Sequence, residues 1–323
     1  MYMKKTILIT GGLGYIGKNI ANLLLKNNFK IIVIDNLINS YEYKFKNDNY
    51  KFIKCDILNQ IKLEKIFKKE KIDLIIHEAG LTKVKESEEK IIEYFDVNIV
   101  GTINILKMME KFKIKYLIFA SSAAVYGNPE KIPINENDLK RPINNYGFTK
   151  FICEKLINKC EKLGIKSIIF RYFNVAGKNI ESNLYYNPKG NITHLIPSIR
   201  NVIKKNKEKI IIYGNNFNTK DGTCIRDYIH IDDLAQAHLL AINYLFKYQK
   251  SEIFNLGSKN KYSNLEIIKL SENIIKNKIN FEISKNKRKG DPDILYANTK
   301  NIEKKLKFHP TKNIIDILSD EFI

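Results

Sequence analysis

Thr6-Ile7-Leu8-Ile9-Thr10-Gly11-Gly12-Leu13-Gly14-Tyr15-Ile16-Gly17 is the stretch that decides the fold of this chain. With Lys5 before it, the first half is a short β-branched run that reads as a buried first strand. The second half is a glycine-rich turn that leads into the apolar helical pattern of Ile20, Leu23 and Leu24. Glycines at such a turn, Gly11, Gly14 and Gly17 among them, let the backbone approach a pyrophosphate closely. The helix start adds free N–H groups and the positive end of a dipole. A second strand, Lys30-Ile31-Ile32-Val33-Ile34, ends at Asp35, about 20 residues beyond the glycines. A carboxylate there can accept hydrogen bonds from an adenosine ribose diol and repels a 2′-phosphate, so NAD is expected rather than NADP.

Outward from this turn the pattern alternates. Strands are expected near residues 5–10, 30–34, 51–54, 73–77, 115–121 and 166–171, with long helices over 88–112 and 146–163. Alternating βα elements imply a parallel sheet covered by helices on both faces. The expected fold is therefore α/β, a Rossmann-type doubly wound parallel sheet over residues 1–173. A smaller carboxyl-terminal α/β lobe over 174–323 follows, with some late segments returning to the first domain. The Asn-, Gly- and Lys-rich stretches 178–192 and 214–224 read as surface or ligand-covering loops.

A second constellation lies mid-chain. Ser122, in Ser121-Ser122-Ala123-Ala124-Val125-Tyr126-Gly127, precedes Tyr146, and Lys150 follows Tyr146 one helical turn later. Residues at i and i+4 share a helix face, so the phenol gains a cationic neighbour. That neighbour stabilises phenolate and lowers a pKa otherwise about 10, which suits a general base near neutral pH. With 18 tyrosines in the chain the spacing alone carries little, and its weight comes from following a dinucleotide turn.

Composition sets outer bounds. The 323 residues suffice for one large or two smaller domains. The net charge of +20 is almost all lysine, spread among abundant Ile and Asn as an AT-rich genome would produce. No arginine-rich stripe interleaves with aromatics, so nucleic acid is not an expected partner; the positive field can still attract a diphosphate. Against this lysine background Arg141, Arg171, Arg200, Arg226 and Arg288 stand out as sites that use a planar fork. No stretch of 18 uncharged apolar residues is present, so no membrane partner is expected, and the first strand begins too early for a signal peptide. Cys55, Cys153, Cys160 and Cys224 lack C-x-x-C spacing and the five histidines are scattered. Free thiols in a reducing cytoplasm, and no metal site, are expected.

Taken in order, the motifs resemble the extended short-chain dehydrogenase/reductase family, and within it the UDP-glucose 4-epimerases, over nearly the whole chain. They are the glycine turn, Asp35-Asn36-Leu37, Asp56-Ile57, His77-Glu78-Ala79-Gly80-Leu81, Asn98 before Gly101-Thr102, and Ser122 with Tyr146 and Lys150. Then come Arg171-Tyr172-Phe173-Asn174, His194-Leu195-Ile196-Pro197, Asp221-Gly222-Thr223, Arg226-Asp227-Tyr228-Ile229-His230, Phe254-Asn255-Leu256-Gly257 and Arg288-Lys289-Gly290-Asp291. The resemblance implies that Tyr15 and Ile16 meet the NAD pyrophosphate, Asp35 and Asn36 the adenosine ribose, and Asp56 and Ile57 the adenine. Ala79, Gly80 and Asn98 would line the nicotinamide side, near Phe173, with Lys150 on the nicotinamide ribose. Asn174, His194, Leu195, Tyr213, Arg226, Arg288 and Asp291 would hold the UDP of a UDP-sugar. Arg171 is read as supporting the junction of the lobes, His77 as a buried structural histidine, and His230 and His238 as packing or surface residues.

The implied activity is an NAD-dependent isomerase, interconverting UDP-glucose and UDP-galactose through a 4-keto intermediate, in a cytoplasmic homodimer whose long helices pack across a two-fold axis. Tyr146 removes the C4 hydroxyl proton with Ser122 bonded to the same oxygen. Several positions depart from the family pattern. Glu78 stands where an aromatic is common, Thr82 takes a usual lysine position with Lys83 next to it, and Asn145 replaces a frequent proline. Leu295, four residues after Asp291, sits where a large tyrosine restricts the sugar pocket, so UDP-GlcNAc/UDP-GalNAc are expected to be accepted too. The alternatives are a decarboxylase or uronate epimerase of the same superfamily, or a non-catalytic dinucleotide sensor. A dehydratase would need an acid pair where Ala123 and Ala124 follow Ser122.

Overall fold

The computed structural model describes residues 4–288 and 290–323. Isoleucine, leucine and valine fill the strands of its main sheet, as strands covered on both faces require. The chain runs β1 (Thr6–Thr10), α1 (Tyr15–Lys26), β2 (Lys30–Asp35), β3 (Tyr50–Lys54), α2 (Gln60–Lys69) and β4 (Leu74–His77). Next come α3 (Val84–Glu89), α4 (Ile91–Tyr94), a π-helical turn over Phe95–Val100, α5 (Gly101–Lys111), β5 (Tyr116–Ser122), α6 (Asn145–Lys159) and β6 (Lys166–Tyr172). The second half holds β7 (Asn174–Ala176), α7 (Leu195–Ile203), β8 (Ile210–Tyr213), β9 (Ile225–Arg226), β10 (Tyr228–His230), α8 (Ile231–Tyr248) and β11 (Glu252–Leu256). It ends with β12 (Tyr262–Ser263), α9 (Asn264–Ile275), β13 (Phe281–Ser284), β14 (Ile294–Leu295), α10 (Lys300–Leu306) and α11 (Ile314–Phe322).

The sheet order is β11-β6-β5-β4-β1-β2-β3, parallel throughout. Alternate residues of each strand face opposite layers. Ile7, Ile9, Val33, Ile76 and Ile118 pack with Ile20 and Leu24 of α1 and Leu234 and Ile242 of α8. Leu8, Ile32, Ile75, Leu117 and Ile169 pack with Leu63 of α2, Ile105 and Met109 of α5 and Ile157 of α6. Strand order reverses between β1 and β4, and in such sheets the crevice outside the carboxyl ends at that point takes the ligand.

The smaller core gathers Ile199 of α7, Ile267 of α9, Ile317 of α11 and Tyr228 of β10. The short strands pair as β10 with β7, β13 with β8, and β12 and β14 on either side of β9. The strand β11 was not among the expected strands. Its run Ile253-Phe254-Asn255-Leu256 is short and interrupted by Asn255, whose amide instead serves Ile134 O at 2.8 Å. Tertiary pairing with β6 makes it a strand. The expected helix over 88–112 is broken: Lys90 (φ −121°, ψ 51°) ends α3, and the π turn intervenes before α5. That turn presents the Asn98 carbonyl to the Thr102 hydroxyl (2.6 Å) and the Cys153 thiol (3.1 Å). The helix expected over 146–163 ends at Lys159 with a 3-10 turn, Cys160–Leu163, stopped by Gly164 at φ 82°. Among the described residues, no helix is long and apolar enough to cross a membrane, and no three His, Cys, Asp or Glu side chains gather as a metal site.

Candidate active site

The glycine turn packs its backbone against the end of β4. A Cβ at Gly11, whose φ is +63°, would lie 2.7 Å from the Ala79 backbone, and one at Gly17 would lie 2.6 Å from Gly12 Cα. Gly14 caps α1 without a side chain, so the first turn of that helix keeps N–H donors for an anion. Asp35, at the end of β2, accepts from Leu13 N (3.0 Å), Leu37 N (2.8 Å) and Ser40 Oγ (2.8 Å), tying the turn to the following loop. Gly11, Gly14, Tyr15, Ile16, Gly17, Asp35, Asn36, Ile57, Ala79 and Gly80 all line one cleft. Asp56 and Asn98 stand behind it. Asp56 accepts from Asn36 Nδ2 at 2.9 Å. Asn98 clasps the Leu81 backbone on both sides (2.8 and 3.1 Å) and reaches Thr149 of α6 (2.9 Å). These contacts fit an NAD site: a capless helix start for pyrophosphate and a carboxylate for ribose.

Ser122, Tyr146 and Lys150, the set expected to be catalytic, line the same cleft. β5 delivers Ser122, and α6 delivers Tyr146 and Lys150. Asn144 caps α6 through Gly147 N (2.7 Å), and a Cβ at Gly147 would meet Ala124 O at 2.5 Å. The helix start therefore sits directly on the turn after Ser122. Asn145 fastens it further, giving its side-chain N–H to Ser87 O at 3.2 Å and Glu88 Oε1 at 3.0 Å. Ser122 hydrogen-bonds the Tyr146 phenol. Lys150 Nζ donates to Ala120 O at 2.8 Å and lies 5.0 Å from the Phe119 ring centre. The Tyr146 phenol is not lowered, as sequence alone suggested, but pushed up to about 12. Burial is the main cause, the Glu78 charge adds to it, and the Ser122 bond opposes it. Burial also lowers Lys150. Burial thus favours the neutral phenol in this cleft.

The far end of the cleft is lined by Phe173, Asn174, His194, Arg226, Asp291 and Leu295. Arg226 lies 3.4 Å from Asp291. Burial, with Arg288 and Lys83 nearby, drives His194 down to about 4, so the ring is neutral. Lys83, one position past Thr82, thus puts its charge near the His194 end of the cleft. Leu195, Tyr213 and Arg288 stand outside the lining; the Arg288 guanidinium stacks 4.3 Å over the Tyr213 ring. Lys289 lies outside the described residues.

Two arginines spend their forks internally. Arg171 clamps Glu154 through Nε (2.9 Å) and NH2 (2.7 Å) and reaches the Tyr126 hydroxyl (2.7 Å). Arg200 pairs with Glu321 at 2.6 Å. His77 is buried between the Thr10 (2.6 Å) and Thr102 (3.0 Å) hydroxyls, with burial lowering it to about 3. Sequence reasoning missed Glu154, which continues the Tyr146, Lys150 face by one more turn; its i+4 spacing was the available signal.

A doubly wound sheet whose switch-point cleft joins a glycine turn to a Ser, Tyr and Lys set defines a dinucleotide-dependent enzyme of the short-chain dehydrogenase/reductase class. The chain belongs to the NAD dependent epimerase/dehydratase family, whose profile matches residues 7–257. It is 38% identical over 315 residues to a UDP-glucose 4-epimerase of Lactobacillus helveticus, covering 97% of this chain and 94% of that protein. The crystal structure of UDP-glucose 4-epimerase from Bifidobacterium longum, in complex with NAD+ and UDP, superposes with a TM-score of 0.93 at 32% identity, covering 98% and 97% of the two chains. The UDP-Glc/GlcNAc 4-epimerase of Campylobacter jejuni superposes with a TM-score of 0.82 at 30% identity, covering 98% of each chain.

Proposed function

We propose that this chain is an NAD-dependent isomerase interconverting UDP-glucose and UDP-galactose by inversion at C4. The observation that carries this reading is the convergence of the glycine turn, the Ser122, Tyr146, Lys150 set and Arg226 on one cleft. Residues 1–173, together with α8, β11 and α10, form the cofactor lobe, and the remaining segments form the UDP-sugar lobe.

When bound, NAD supplies a positively charged ring that takes hydride from C4 of the sugar and returns it to the other face. The glycine turn and the start of α1 hold its pyrophosphate, Asp35 its adenosine ribose, and Ile57 its adenine. Tyr146 removes the C4 hydroxyl proton and gives it back, while Ser122 holds the same oxygen. Lys150, one turn on along α6, would support the Tyr146 phenolate against the burial that pushes the phenol up to about 12. Arg226, which lines the cleft, grips the diphosphate, leaving the 4-ketose free to turn. Leu295 is smaller than tyrosine and lines this cleft, which leaves room for a 2-acetamido group.

The segments over 88–112 and α6 expose Ile92 (70%), Ile91, Val100 and Phe148 (41%), which fits a homodimer packed through these helices. The four free cysteines, three of them buried, fit a cytoplasmic protein.

Proton NMR of the purified protein with UDP-galactose, and separately UDP-N-acetylgalactosamine, tests the reading without added NAD. Appearance of the gluco-sugar is expected in both. No conversion of either, even with NAD supplied, would overturn it, and failure of the second alone would overturn the Leu295 argument.

A further inference from the structure

Glu78 follows the last residue of β4, and strand alternation sends its side chain away from that of His77. His77 turns to Thr102 of α5, whereas Glu78 turns to Tyr172 of β6 and His238 of α8. The carboxylate is only 5% exposed, yet it lines the cleft beside Ala79, Ser122, Tyr146 and Lys150. Tyr172 Oη donates to it at 2.7 Å, His238 Nε2 lies 3.4 Å away, and Tyr172 Oη and His238 Nε2 are 2.8 Å apart. His238 Nδ1 faces Leu234 O at 2.9 Å, and a carbonyl only accepts, so Nδ1 carries a proton. The tyrosine's single proton bridges one side of the triangle. Glu78 Oε1 is the acceptor of that proton, so the carboxylate is fixed in the cleft wall by Tyr172. A carboxylate buried in the wall of a cofactor cleft is costly unless its charge has a counterpart.

We propose that Glu78 sets the charge of the cofactor pocket, its carboxylate favouring the cationic, oxidised nicotinamide over the neutral, reduced one. The inference rests on the NAD-dependent reading above. In the first half-reaction the sugar C4–H bond breaks, its electron pair and proton pass to the ring as hydride, and the hydroxyl proton passes to Tyr146; the second half returns both. Each cycle therefore needs the oxidised ring at its start. A wall charge that holds the ring oxidised disfavours a reduced, stranded cofactor when a ketose escapes.

The test equilibrates the holoenzyme with a redox couple of fixed potential and reads the near-ultraviolet absorbance of the reduced nicotinamide. Glu78→Gln is expected to shift the bound cofactor toward the reduced form by about tenfold, ~30 mV for a two-electron couple. Glu78→Phe, the aromatic common in the family, shifts it the same way. Tyr172→Phe keeps the carboxylate and stays within about twofold of wild type. An unchanged ratio in both Glu78 variants would overturn the proposal, as would an equal shift in Tyr172→Phe. A change in KM for the UDP-sugar with the ratio unmoved would make Glu78 a sugar ligand instead. A wild-type protein that neither binds NAD nor epimerises would sink the functional reading itself, whereas an active wild type with an unmoved Glu78→Gln sinks only this one.

Discussion

Tyr146 can act as a base only if its buried phenol loses a proton, and its neighbours divide on that question. The Ser122 bond favours phenolate, while burial and Glu78 oppose it. Tyr146→Phe removes the base and leaves the packing, so kcat should fall by roughly 10²–10⁴-fold, with UDP affinity by calorimetry unchanged. A loss of less than about threefold would remove Tyr146 from the mechanism. Glu321 makes a second prediction at this scale. Burial raises its carboxyl to about 7, with Arg200 opposing. A carboxyl raised in the folded state stabilises the fold below its unfolded pKa and loses that contribution as pH rises through the folded value. The thermal midpoint should thus decline between about pH 4.5 and 7 for this group, and Glu321→Gln should flatten that segment of the profile. Parallel profiles for the two proteins would contradict it.

Among the elements, α6 does most to assemble the site. It carries Tyr146, Lys150 and Glu154 on successive turns, and Glu154 anchors it to β6 through Arg171 and to β5 through the Ser121 hydroxyl at 2.5 Å. Both partners of the ion pair are almost wholly buried, at 2% and 3% exposure. Removing one partner leaves a stranded charge. Arg171→Met should therefore cost about 3–5 kcal/mol in urea unfolding, and replacing both Arg171 and Glu154 with apolar residues should cost less. Equal losses in the single and double variants would show that packing rather than charge is responsible.

For the whole molecule, the apolar side chains exposed on 88–112 and α6 bear on assembly. Replacing Ile92 and Phe148 with glutamate together should halve the particle mass measured by sedimentation, while the far-ultraviolet dichroism stays unchanged. A monomeric wild type, or a mass unmoved in the variant, would remove this face as the interface.

The sheet and its cofactor end were legible in the sequence because their signals are local. A β-branched strand, a turn only glycine can make and a carboxylate at the next strand end are written within Thr6 to Asp35. Tyr146 and Lys150 were legible for the same reason, since one helical turn joins them. Only tertiary structure decided the rest. It made β11 a strand by supplying β6 as a partner, and it broke the helix over 88–112 at Lys90 and the π turn. It turned Arg171 and Arg200 inward onto Glu154 and Glu321, and it raised the Tyr146 phenol that its lysine was expected to lower. It also brought Glu78, Tyr172 and His238 together from three distant stretches. The physical reason is common to all of these. Burial, and the charges that reach a buried group across long sequence separations, have no local signature, whereas backbone conformation and helical spacing do.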